Sequence, residues 1–160
     1  MLRFNLLVIL LMLLSACASS PGIDSSGVDR SLTPQGVAAQ PQMAGGKQVL
    51  WGGVIIQTTN LSDRTQVEVL AYPLDASQRP QSGLDAQGRF IFEQTGFLDP
   101  ASYAGGRLIT VAGTVTGTRA GRVGESNYSY PVVSGRQHNL WPKESGGSGI
   151  NFGIGVGTWF

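Results

Sequence analysis

The sequence predicts an all-β fold, a small antiparallel barrel of about five to seven strands with one short helical turn. Two observations carry this. Gly accounts for 23 of 160 residues and Pro for 8, about twice the ordinary ~7% for Gly, so the chain turns often. Between those turns, β-branched and aromatic residues alternate with polar ones at the period of a half-buried strand. Charged residues are only 13%, which excludes a coiled coil or a charged disordered chain.

The first long strand is expected at Val49–Thr59, with Gly52-Gly53 marking a bulge or bend. Asn60–Arg64 supplies a turn. From Thr65 to Tyr72 the pattern alternates, with Val67, Val69 and Ala71 on one face and Gln66, Glu68, Leu70 and Tyr72 on the other. Pro73 closes that strand because proline cannot donate to a ladder. After a polar loop, Arg89–Glu93 is a short strand with Phe90 and Phe92 on one face. Asp99 as N-cap and Pro100 at the first helical position predict one or two helical turns carrying Tyr103 over a barrel end. Arg107–Thr118 returns to β, Arg119–Arg122 is expected to turn, and Val123–Val133 pairs back with Tyr128 and Tyr130 on one face. A long bent first strand and a short helical element between strands three and four are the marks of an OB-like barrel, which also removes sheet edges. A two-sheet β-sandwich is the alternative.

The ends of the chain read differently. Arg3 precedes the apolar run Leu6–Leu14, too short for a membrane span of ~20 residues and suited to a secretory signal peptide. Residues 18–46 are rich in Ser, Gly and Pro without a sustained apolar period, so a flexible tether of roughly 30 Å is expected. The domain plan is therefore residues 1–16 as signal peptide, 17–46 as a modified Cys and tether, 47–142 as barrel, and 143–160 as Gly-rich linker and apolar C-terminal segment.

Net charge is +1 with 11 Lys and Arg against 10 Asp and Glu, which gives no electrostatic footprint for nucleic acid. One Cys and one His exclude disulfide scaffolds and Cys/His zinc sites, so no metal is expected. No G-x-S-x-G elbow is present and His138 has no second His to work with. No catalytic residue or cofactor is expected, and His138 reads as structural. Glu68, Glu93 and Glu125 read as solvated charges rather than an acid/base pair. The aromatic and basic residues Tyr128, Tyr130, Arg107 and Arg119 are the candidate ligand or partner face. A groove lined by them would favour a binding module for a sugar, peptide or ion.

Leu14-Ser15-Ala16-Cys17 resembles the lipobox of bacterial lipoproteins. The resemblance implies cleavage before Cys17 and acylation of its thiol, the side chain nucleophilic enough to form the thioether, and of the new amine. One acyl chain holds only marginally, at ~0.8 kcal/mol per buried methylene, whereas two or three give a lasting anchor. Ala18 in place of Asp implies outer-membrane sorting. Removing residues 1–16 takes Arg3 with it and leaves the basic and acidic residues equal in number.

The joint motifs Trp51-Gly52-Gly53-Val54-Ile55, Val67–Asp75, Gly88-Arg89-Phe90, Gly96–Pro100, Val111-Ala112-Gly113, Tyr128–Val133 and His138-Asn139-Leu140-Trp141 resemble the Slp family of Gram-negative outer-membrane lipoproteins. That resemblance implies an outer-membrane lipoprotein linked to starvation or stress, and the anchored protein is expected to face the periplasm. Its partners would be membrane lipid through acylated Cys17 and outer-membrane or other envelope proteins. It supplies no catalytic residues. Family members often carry a longer tail rich in aromatic residues, Gly and Pro, where this chain has the short Ile150–Phe160. That segment alternates apolar residues with Gly and is expected to add to a partner's sheet or dip into the membrane interface through Trp159 and Phe160.

Overall fold

A computed structural model of the chain describes residues 22–143. The expected signal peptide 1–16, the lipobox Leu14–Ala16, Cys17 and the C-terminal segment 150–160 lie outside the described residues. Five strands form a closed barrel: β1 (Gln48–Asn60), β2 (Arg64–Ala71), β3 (Arg89–Thr95), β4 (Leu108–Val123) and β5 (Ser126–Leu140). Around the barrel the order is β1-β2-β3-β5-β4, the arrangement of an OB-like barrel. All neighbours pair antiparallel except β3 and β5, which run parallel through Ile91–Glu93 and Val132–Ser134.

Strict alternation in β2 and β3 builds one side of the interior. Thr65, Val67, Val69 and Ala71 of β2 are buried, as are Phe90 and Phe92 of β3. They meet Val49, Trp51 and Ile55 of β1, Ile109, Val111 and Val115 of β4, and Val133 of β5 in one hydrophobic cluster. The Trp51 and Phe90 rings pack edge to face with centroids 5.3 Å apart, a favoured aromatic geometry.

Two local expectations are corrected. The β1 register shifts between Ile55 and Gln57, not at Gly52-Gly53. The glycine pair serves close approach instead, since a Cβ on Gly53 would collide with the Leu70 carbonyl of β2. The β4–β5 turn falls at Gly124-Glu125, with Gly124 at φ +59°, rather than at Arg119–Arg122, which continues the ladder against Asn127–Tyr130. The helical turn expected at Asp99-Pro100 forms as a single turn: Asp99 O accepts from Tyr103 N–H at 2.9 Å, and the Asp99 side chain caps it by accepting from Ala101 N–H. Tyr103 packs against the core as expected.

Among the described residues the one α-helix, α1 (Pro34–Ala39), lies before the barrel, where a flexible tether was expected. Thr33 Oγ1 accepts from Gly36 N–H and Pro34 occupies the first turn, the same cap chemistry that was sought at Asp99-Pro100. The segment is a strap laid on the barrel. Val37 and Ala44 are buried in the core cluster and Leu32 packs against it. Trp51 Nε1 donates to Leu32 O at 2.8 Å, Gln35 N–H to Gln87 O at 2.9 Å and Asp29 N–H to Gln48 O at 2.7 Å. Nearer its start, Ile23 and Gln78 exchange two hydrogen bonds of 2.9 Å. The composition of the segment could not sustain a core of its own; it folds because the barrel supplies one.

Candidate functional site

The outward faces of β2 and β3 form the floor of a groove. Cross-strand pairing sets Gln66 opposite Glu93, Glu68 opposite Ile91, and Leu70 opposite Arg89. The far half of the β4–β5 hairpin, where Arg119 pairs with Tyr130, makes one wall. Gln57 and Thr59 of β1 make the other. The enclosed volume is ≈ 220 Å³. In OB-like barrels this strand 2–3 face is where oligosaccharides and oligonucleotides bind.

Its charges neutralise one another. Glu93 accepts from Arg119 Nη2 at 2.7 Å and Gln66 Nε2 at 2.9 Å through one oxygen, and from Arg64 Nη1 at 3.4 Å through the other. Burial raises the pKa of its carboxyl, but hydrogen bonds from Arg119 and Gln66 with the charges of Arg119 and Arg64 outweigh that and hold it below the ordinary carboxylate value. Glu68 accepts from Arg89 Nη1 at 2.6 Å. The Tyr130 hydroxyl lies 3.2 Å from Glu68 Oε1 and 3.1 Å from Arg122 O, so one proton serves two acceptors. Burial first, and then the Glu68 carboxylate, raise the Tyr130 pKa and keep it a neutral phenol. Tyr128 packs edge-on against Tyr130 with ring centroids 4.8 Å apart, and its hydroxyl accepts from Arg89 N–H at 2.8 Å.

Of the four residues expected to share a face, the structure brings together Tyr128, Tyr130 and Arg119. Arg107 stands apart. Its Nη1 donates to Ser102 O at 2.9 Å and its Nη2 to Trp141 O at 2.6 Å. It lines a separate cleft of ≈ 360 Å³ with Gly105, Gly106, Pro142 and Lys143. The reason is topological: Arg107 precedes the start of β4, whereas Arg119 lies far along it. Glu68 and Glu93, read from sequence as solvated, are the half-buried acceptors that organise the groove. The signal for them was present, because both occupy polar positions between the inward residues of β2 and β3.

His138 packs against the rings of Phe92 and Tyr103, and its Nε2 is hydrogen-bonded to the Tyr103 hydroxyl at 2.8 Å. Burial lowers its pKa, so the neutral ring is favoured. Among the described residues no group of three or more His, Cys, Asp and Glu side chains could hold a metal ion.

A closed five-stranded barrel in the order β1-β2-β3-β5-β4, carrying a polar outer groove, defines an OB-like domain. The chain belongs to the outer membrane lipoprotein Slp family, whose family model matches residues 14–150. It is 31% identical over 134 residues to the uncharacterized lipoprotein YeaY of Escherichia coli (strain K12), covering 81% of this chain and 67% of that protein. It is 30% identical over 145 residues to the outer membrane protein Slp of the same organism, covering 88% and 76%. An uncharacterized protein of Haemophilus influenzae is 38% identical over 96 residues, covering 59% of this chain and 52% of the relative. No solved structure matches.

Proposed function

We propose that the protein is anchored by acyl chains on Cys17 to the periplasmic leaflet of the outer membrane. There it acts as a non-enzymatic envelope module, supporting starvation or stress resistance through contacts with envelope components. The carrying observation is that the family match begins at Leu14, so Leu14-Ser15-Ala16-Cys17 lies inside it. Cleavage before Cys17 and two or three acyl chains turn a secreted barrel into a membrane-held one. Mass spectrometry of the amino-terminal peptide from purified envelopes is expected to show acylated Cys17. A Cys17→Ser chain is expected to leave the membrane fraction, and crosslinking in intact cells to capture envelope proteins with the native chain only. A bare terminus, or Cys17→Ser retained at the membrane, refutes the anchor.

A second reading is supported by the groove over β2 and β3, where the buried Tyr130 and the Arg119–Glu93 pair set fixed polar groups along a concave surface. With its ion pairs internally matched, the groove suits an uncharged polyhydroxyl ligand such as a peptidoglycan sugar better than nucleic acid. Calorimetric titration with soluble peptidoglycan fragments is expected to give binding that Tyr130→Ala abolishes. Equal heats from wild type and variant would remove this reading.

A further inference from the structure

We infer that one particular face of the barrel, around Gln78, Arg136 and Gln137, is held against the phospholipid headgroups, with the β4–β5 hairpin turn at Gly124-Glu125 kept away from them. The inference rests on the Cys17 anchor proposed above. It follows from where the strap ends.

The strap is fixed to the barrel up to its first described residues. Ile23 N–H donates to Gln78 Oε1 and Gln78 Nε2 donates back to Ile23 O, both at 2.9 Å. Asp24 N–H donates to Gln137 Oε1 at 3.1 Å and Arg136 Nη2 donates to Asp24 O at 2.9 Å. These contacts clamp the strap between the Asp75–Arg79 turn and the last part of β5. Cys17 stands five positions before Gly22. A chain of that length reaches ~18 Å at full extension, well short of the ~30 Å coil expected had residues 18–46 been free. The anchor therefore dictates which face lies nearest the bilayer.

The opposite end of the described chain leaves from the same region. Gln78 O accepts from Thr110 Oγ1 at 2.7 Å, and Thr110 Oγ1 accepts from Trp141 Nε1 at 2.9 Å. The Arg79 guanidinium lies 5.2 Å from the Trp141 ring centroid. Both ends of the described chain thus depart beside Gln78 and Trp141. The face between them presents amides, Arg136 and an indole, which suits a headgroup layer rather than hydrocarbon. From Thr110 the antiparallel pair β4–β5 runs to its turn at Gly124-Glu125, and the stretch of β4 from Thr110 to Val123 gives it a contour of ~43 Å. Arg119 and Tyr130 lie toward that distant turn.

The test uses the acylated full chain in vesicles of phosphatidylethanolamine and phosphatidylglycerol with a headgroup quencher. A fluorophore is attached through Ala76→Cys in the exposed Asp75–Arg79 turn, or through Glu125→Cys at the hairpin turn. Quenching is expected at position 76 and not at 125. A flexible insert of twenty Gly and Ser residues after Ser20 is expected to abolish quenching at 76 while the vesicles still float the protein. Equal quenching at the two positions, or quenching at 76 that survives the insert, overturns the inference. Failure of the native chain to float with the vesicles instead refutes the anchor, which keeps the two failures distinct.

Discussion

The two faces of β2 and β3 obey the same alternation and solve opposite problems. Inward, Val67, Val69, Phe90 and Phe92 are fully buried in one hydrophobic cluster. Outward, Gln66, Glu68, Arg89 and Glu93 keep partial contact with water and are matched by hydrogen bonds and charge. The inner face is stabilised by area and shape, which are costly to disturb anywhere. The outer face is stabilised by pairs whose net contribution is small because water competes for each. Stability therefore resides inside, and the outer face is free to be shaped for contact.

Substitutions at successive depths sharpen this contrast. Phe90→Ala removes a ring that is fully buried against Trp51 and is expected to destabilise by about 3–5 kcal/mol in urea unfolding. Thr65→Val attacks the polar residue of the inward β2 row. Its hydroxyl accepts from Leu98 N–H at 2.9 Å and donates within reach of Gly96 O at 2.8 Å, with Asn60 Oδ1 also bonded. Losing it strands a buried donor, and a cost of about 1–3 kcal/mol is expected by the same measurement.

The outward positions are expected to respond less. Glu93→Gln is expected to cost under about 1 kcal/mol near pH 7, because Arg119 and Arg64 are both well exposed to solvent. Its sign follows from the lowered folded-state pKa of Glu93. The carboxylate stabilises the fold above its ordinary value of 4.5, and that contribution fades as pH falls through the lower folded value. The gap between wild type and Glu93→Gln should close below that range; a gap that widens in acid would contradict the pairing. Arg119→Ala is expected to shift stability by only a few tenths of a kcal/mol. A large loss there would mean that the outer face carries the fold as well.

Much of the barrel was legible because alternation is a local signal. Val67, Val69, Ala71, Phe90 and Phe92 can be assigned to the interior from spacing alone. The hairpin turn was not, because the end of β4 and the start of β5 extend past the core. With no apolar face to alternate there, Arg119-Ala120-Gly121-Arg122 looks like a turn while its backbone still pairs. The strap was hidden for a different reason. Leu32, Val37 and Ala44 are isolated apolar residues without period, and what they bury against is supplied by strands far along the chain. Thr33-Pro34 did carry a helix-start signal, outweighed by the Gly and Pro around it. In the groove, Tyr128 and Tyr130 were joined correctly by their two-residue spacing. Arg107 was misplaced because alternation gives the side of a strand and not its height on the barrel.

The parallel seam between β3 and β5 has a consequence for how the molecule is made. The cylinder cannot shut until the final strand has slotted between two others that come earlier in the chain. A polypeptide growing from its amino terminus therefore exposes the unpaired margins of β3 and β4 until β5 has been delivered. Such long-range pairing slows folding and invites aggregation in the interval. Truncation within the last strand should yield an open, sticky sheet rather than a slightly weaker version of the native barrel.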